Sequence, residues 1–185
     1  MTGDLYVVSG PSGAGKGTLL ARIMPKLDNV WLSISATTRK PRIGEKHGVH
    51  YFFISDTEFD RLIAQDGLLE WASVHDERYG TLRYEVESRL EKGLDVILEI
   101  DPQGAFQVAS KIPKAVLVFI EPPSLEVLEQ RLRDRGTESS AQIEKRLKNA
   151  QAEMLLRDHY QRIITNDDLE RASEELFALI KEKEV

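Results

Sequence analysis

The stretch GPSGAGKGT, residues 10 to 18, lies between the apolar run LYVVS and the helix-forming KGTLLARIM, and it constrains this chain more than any other feature. A strand, a glycine-rich loop and a helix in that order make a phosphate cradle. The glycines let backbone N–H groups converge on anionic oxygens, the helix dipole favours negative charge, and Lys16 adds a mobile cation. Gly10, Pro11, Ser12, Gly13, Ala14, Gly15, Lys16, Gly17 and Thr18 are therefore candidate nucleotide-phosphate contacts. One position departs from the usual loop. The Ser or Thr that follows the lysine, and that ordinarily touches magnesium, is Gly17 here; Thr18 comes one place late, turned ~100° around the first helical turn.

Such a loop belongs on a parallel sheet covered by helices on both faces, and the rest of the chain agrees. Apolar runs recur as VWLSIS at 30 to 35, DVILEID at 95 to 101, AVLVFIE at 115 to 121 and RIIT at 162 to 165, separated by helix-length amphipathic segments. An α/β fold of one domain is predicted for the 185 residues. Ser55 with Glu58 reads as a capping box, with Ile54 and Phe59 as its hydrophobic staple, and Ser139 with Gln142 repeats the box. After it, Ile143, Leu147, Ala150 and Met154 form an apolar stripe with Arg146 beside it. A last helix from near Asp168 puts Leu169, Ala172, Leu176, Leu179 and Ile180 on one face.

A net charge of −6 argues against nucleic acid as a ligand, while local basic clusters still suit a small polyanion. With no cysteine, disulfides and thiolate metal sites are excluded, and the histidines form no metal-ligand spacing. No apolar run approaches the ~20 residues of a membrane span. MTGDLYVVSG has an acid where a signal peptide needs a base, so a cytoplasmic location is expected.

In TTRKPR, Arg39 and Arg42 stand three apart around Pro41, with Tyr51 downstream. Guanidinium forks match phosphate oxygens and a proline turn limits the entropy lost in presenting them, but a solvated basic loop fits the composition equally well. Alternation in DVILEID puts Ile97, Glu99 and Asp101 on one strand face. Its acids lie at the carboxyl end, where parallel sheets bind ligands and acids invite a magnesium ion.

ATTRKPRIGEKHGVHYFF, with GPSGAGKGT, LEWASVHDERYG, EIDPQG, EPPSLEVLEQRLRDRGTE and NDD, resembles guanylate kinase across nearly the whole chain. The resemblance implies transfer of the terminal phosphate of ATP to GMP, and to dGMP. It implies a P-loop NTPase-type core at about 1–34, 86–123 and 158–185, a GMP-binding lobe at about 35–85 and a helical lid at about 124–157. It implies that Ser35, Arg39, Arg42, Tyr51, Glu70, Tyr79, Thr81 and Asp101 bind GMP. The arginines and tyrosines would meet its phosphate, and Glu70 the N1–H and 2-amino group of guanine. Lys16, Arg39, Asp101 and the lid arginines Arg131, Arg135 and Arg146 become the catalytic set, because phosphoryl transfer develops charge that closing cations neutralise. Asn166 falls near the adenine of ATP, although a turn capping the last helix explains TNDD as well.

The chain departs from the family pattern at Glu99, where an aspartate is usual, and at Pro102, in a slot that tends to be apolar. Magnesium arriving with ATP is then expected on phosphate oxygens and water, with Asp101 and Glu99 acting through that water. Three alternatives stand beside this reading. One is a guanylate-kinase-like phosphopeptide-binding module, which typically has a degraded loop; the others are a ribose bisphosphate kinase and an AMP kinase. The expected partners are ATP and GMP, with the oligomeric state open.

Overall fold

A computed structural model describes residues 2–74, 76–134 and 139–182. In chain order the elements are β1 (Leu5–Ser9), α1 (Lys16–Ile23), β2 (Val30–Leu32), β3 (Ala36–Thr37), β4 (Phe52–Phe53), α2 (Asp56–Ala64), β5 (Leu68–Val74), β6 (Glu77–Leu82) and α3 (Arg83–Glu91). They continue as β7 (Asp95–Glu99), α4 (Pro102–Lys111), β8 (Val116–Glu121), α5 (Leu125–Asp134), α6 (Ser140–Met154), β9 (Arg162–Thr165) and α7 (Leu169–Lys181). Among the described residues the central sheet has five strands in the order β2-β7-β1-β8-β9, every pair parallel. Strand alternation sorts β1 between two layers. Tyr6 and Val8 pack with α1 and α7 residues such as Leu19, Leu20, Leu176 and Ile180, while Leu5 and Val7 pack with Val86, Ala105 and Val108 on the other face. Its carboxyl end lies between those of β7 and β8, the crevice where open parallel sheets take ligands.

A second sheet, β4-β3-β6-β5, is mixed: β3 pairs parallel with β4, and β6 antiparallel with β3 and β5. Arg78 ties it to α2, with its guanidinium on Asp56 and Asp60 and over the buried Phe59 ring at 4.7 Å. This lobe is docked on the core, since Leu69 of β5 belongs to the core's apolar layer. The backbone of Trp71 is paired in both directions by the Gln107 amide of α4, at 3.1 and 3.0 Å. The segment boundary expected near residue 85 falls inside α3, whose Val86 is fully buried in that layer.

Several local expectations change. The strand runs predicted at 30–35 and 95–101 end at Leu32 and Glu99. Asp101 leaves the strand to cap α4, accepting from Gly104 N at 2.8 Å, with Pro102 as the first helical residue. Proline suits that position because its missing N–H would be unpaired anyway, so Glu99 and Asp101 do not share a strand face. Ser55 caps α2, but Glu58 does not complete the box because its carboxylate is held by Arg61 at 2.6 and 2.9 Å. The Ser139–Gln142 box is complete. On α7, Leu169 is 37% exposed, and Ala172, Ser173, Leu176 and Ile180 form the buried face.

Candidate active site

The glycine loop follows β1 and opens α1. Gly15 sits at φ 98 as the residue before the helix, and a Cβ on Gly10 would lie 2.1 Å from Ile120 O, so neither position accepts a side chain. Asn166 braces the loop from behind: its Nδ2 donates to Ala14 O at 2.7 Å, and the residue is 5% exposed. It also lines a cavity with Gly13, Gly15, Thr18 and Arg131, so it both supports the loop and borders the space beside it. Lys16 Nζ donates to Gly10 O at 2.6 Å and Pro11 O at 3.2 Å, which holds the cation at the mouth of the loop.

In the basic turn expected to meet GMP, Arg39 Nη2 donates to Glu45 Oε1 at 2.9 Å and Nη1 to Lys40 O at 2.8 Å. The Glu45 bond raises the Arg39 pKa above its ordinary value, with the Tyr79 hydroxyl adding to the effect. The guanidinium lies 5.3 Å from the Tyr51 ring centre, and Tyr51 meets Tyr79 edge-on at 6.1 Å. Glu45 also accepts from Arg42 N at 2.7 Å, so one carboxylate shapes the basic turn while the Arg42 side chain stays exposed. The cleft of about 480 Å³ beside this turn is lined by Ser35, Tyr51 and Asp101 together with Gly10, Ser12 and Lys16 of the loop.

Glu70 is 6% exposed, and Thr81 Oγ1 donates to its Oε1 at 2.6 Å across the β5–β6 pair. Burial pushes its pKa up to about 7, opposed by the Thr81 hydrogen bond and increased by Asp101. A Cβ on Gly104 would lie 2.9 Å from Glu70 Oε2, so α4 is seated against this carboxylate. Glu99 ends β7 with its carboxyl open to solvent on one side and crowded by protein on the others; the crowding raises its pKa, and the Lys16 charge opposes the rise.

The helical lid meets the loop at two places. Leu128 and Leu132 of α5 are fully buried, and a Cβ on Gly13 would fall 2.8 and 3.1 Å from their methyl carbons. Arg146 of α6 donates to Ser12 Oγ at 2.7 Å. Arg131 Nη2 donates to Asn166 O at 2.8 Å, and its Nη1 is buried with no hydrogen-bond partner among the described residues. Arg135, expected one turn further on, lies outside the described residues.

Three participants escaped the sequence reading. Glu45 is the acid inside a basic motif, and its place three residues after Arg42 was the available signal. Gln107 and Glu153 offered none, being single polar residues on helices. Glu153 lines the same cleft as Lys16 and Asp101; burial raises its pKa, Lys16 opposes this, and Asp101 adds to it. No group of three or more acidic or histidine side chains among the described residues is arranged to hold a metal directly, and no described helix is long and apolar enough to cross a membrane. The oxygen donors of Asp101 and Glu99 beside the loop do fit a hydrated magnesium, a hard cation that keeps several waters.

The chain matches the guanylate kinase family model over residues 2–183. It is 51% identical over 178 residues to a guanylate kinase of Caldanaerobacter subterraneus subsp. tengcongensis, covering 96% of this chain and 86% of that protein. To a guanylate kinase of Streptomyces coelicolor it is 51% identical over 175 residues, covering 95% and 89% respectively. The crystal structure of guanylate kinase from Anaplasma phagocytophilum superposes with a TM-score of 0.75 at 33% identity, covering 98% of this chain and 86% of that one.

Proposed function

The chain belongs to the guanylate kinase family and is an ATP:GMP phosphotransferase, and we propose that it works by direct transfer between two nucleotides held in one cleft, in the cytoplasm, accepting dGMP as well as GMP. One observation carries the arrangement: the phosphate loop and the acceptor turn line the same cavity, Gly10, Ser12 and Lys16 on one side and Ser35 and Tyr51 on the other. The loop residues 10–18 bind the ATP phosphates. Lys16 turns from its carbonyl partners to the transferred group. Arg39, Arg42, Tyr51 and Tyr79 hold the GMP phosphate, Glu70 accepts from the guanine edge with Thr81 and Ser35 beside it, and Asp101 stands between the two nucleotides.

Arg131 and Arg146 reach the loop from the lid and neutralise charge as it develops. The unpartnered Nη1 of Arg131 supports this, because a phosphate oxygen would satisfy a buried donor that costs ~1–3 kcal/mol to leave unpaired. Magnesium, bound with ATP, supplies charge neutralisation at the phosphate oxygens. Asp101 and Glu99 would hold it through water. No general base is needed, since the acceptor phosphate is already ionised at neutral pH; positioning and charge do the work.

A coupled ADP-release assay with GMP, dGMP, AMP, CMP and UMP tests the acceptor, and only the guanine nucleotides are expected to turn over rapidly. Arg39→Ala and Arg42→Ala should each weaken GMP by about 10- to 100-fold, the loss of a charge-assisted contact, with ATP affinity unchanged. Equal losses for ATP and GMP in calorimetry would assign both arginines elsewhere.

A further inference from the structure

A gap in the phosphate loop and a long acid meet in space. The loop lacks the hydroxyl that ordinarily follows its lysine, and β7 ends in Glu99, whose carboxylate stands on a longer stem than an aspartate's. A Cβ on Gly17 would lie 3.3 Å from Glu99 Oε1 and 3.6 Å from Oε2, so the carboxylate rests against the glycine in the space that a serine side chain would enter. Both residues line one cavity of about 360 Å³ with Ser12, Gly13, Gly15, Lys16 and Thr18. An aspartate at position 99 would stop about one C–C bond, ~1.5 Å, short of Gly17.

We propose that Gly17 and Glu99 form one functional unit, in which the glutamate carboxylate takes the place of the loop hydroxyl and holds water of the magnesium ion that arrives on ATP. This rests on the ATP-binding reading of the loop. A hydroxyl in that space offers magnesium a lone pair directly. A carboxylate there instead accepts hydrogen bonds from the ion's waters, which magnesium surrenders reluctantly. The glycine then suits the glutamate, because a Cβ at 17 would crowd Oε1 at 3.3 Å and shift the carboxylate slightly.

Manganese titration of the AMPPNP complex without GMP, followed by EPR, reads metal affinity in the absence of turnover. Glu99→Asp is expected to weaken manganese about tenfold, a typical loss for a residue acting through a metal's outer partners. Gly17→Ser should weaken it about threefold or less. The double variant Gly17→Ser/Glu99→Asp, with a hydroxyl and a short acid, should return to within about threefold of wild type, the non-additivity expected of residues in contact. Wild-type affinity in Glu99→Asp, or a double variant no better than Glu99→Asp, overturns the proposal. Metal-free AMPPNP binding separates the remaining outcomes. Its loss in Glu99→Asp shows an acid that only props the loop and overturns the proposal, whereas its absence in wild type overturns the nucleotide reading and this inference with it.

Discussion

Glu70, proposed above to accept from the guanine edge, is held in the fold at a cost. A carboxyl that is nearly enclosed, with one hydrogen bond from Thr81, prefers to be neutral, which is why burial takes its pKa from 4.5 to about 7. Because the folded value lies above the unfolded one, the stabilisation is complete below about pH 4.5 and is lost as pH rises through 7. At pH 8 the folded protein therefore carries a penalty on the order of 3 kcal/mol at this position. Glu70→Gln keeps an oxygen for Thr81 and removes the charge. Its melting temperature should exceed wild type by roughly 5–10 °C at pH 8 and match it at pH 4, while kcat/KM for GMP falls at least ~100-fold. Calorimetry at the two pH values checks the first part; an equal shift at both would mean that the carboxyl is well solvated.

At the scale of elements, α4 connects Asp101, proposed above to hold magnesium through water, to Glu70, proposed to accept from the guanine edge. Its N-cap is Asp101, and Gly104, Gln107 and Lys111 follow on one face at helical spacing. That face is fastened to β5, with Gln107 on the Trp71 backbone and Lys111 Nζ donating to Leu68 O at 2.7 Å. Gly104 is the close approach, and adding a methyl there directs it at Glu70 Oε2, 2.9 Å away. Gly104→Ala should gain helix propensity of ~1 kcal/mol, offsetting the crowding. Its urea midpoint should then stay near wild type, while KM for GMP rises about tenfold and KM for ATP does not change. A parallel rise in both Michaelis constants would show that α4 acts on the whole cleft and not on Glu70.

Across the whole molecule, three parts converge on one loop. The core holds it from below through Asn166 and Ala14, the segment carrying Ser35 and Tyr51 faces it across the cleft, and α5 and α6 reach it through Leu128, Leu132 and Arg146. The leucines pack against Gly13 and share one apolar cluster with Ile143 and Ala150 of α6, and that packing sets Arg146 beside Ser12 of the loop. Arg146→Ala should therefore lower kcat about 100-fold or more, change the ATP dissociation constant less than about threefold, and leave stability within ~0.5 kcal/mol. Rapid-quench single turnovers check the chemical step; an unchanged burst with a weakened ATP affinity would make Arg146 a binding residue.

What the sequence determined was local. The loop at 10–18, the strand at 162–165 and the caps at Ser55, Ser139 and Asp168 are written in spacings of a few residues, where steric and hydrogen-bonding preferences act directly on neighbours. Strand ends were less legible, because alternation continues through Ile100 and Asp101 while the chain has already turned to start α4. Tertiary structure alone decided the contacts between distant segments: Glu70 enclosed against Gly104, Asn166 bonded to Ala14, Glu99 lying on Gly17. These depend on the strand order, which sets β7 beside β1, and on the docking of β5 on α4 through Gln107 and Lys111. An isolated glutamate has the same local preferences on a surface as in a cleft. Only burial, which removes the water that would otherwise solvate it, makes the Glu70 carboxyl depend on its protein neighbours for its hydrogen bonds and its charge.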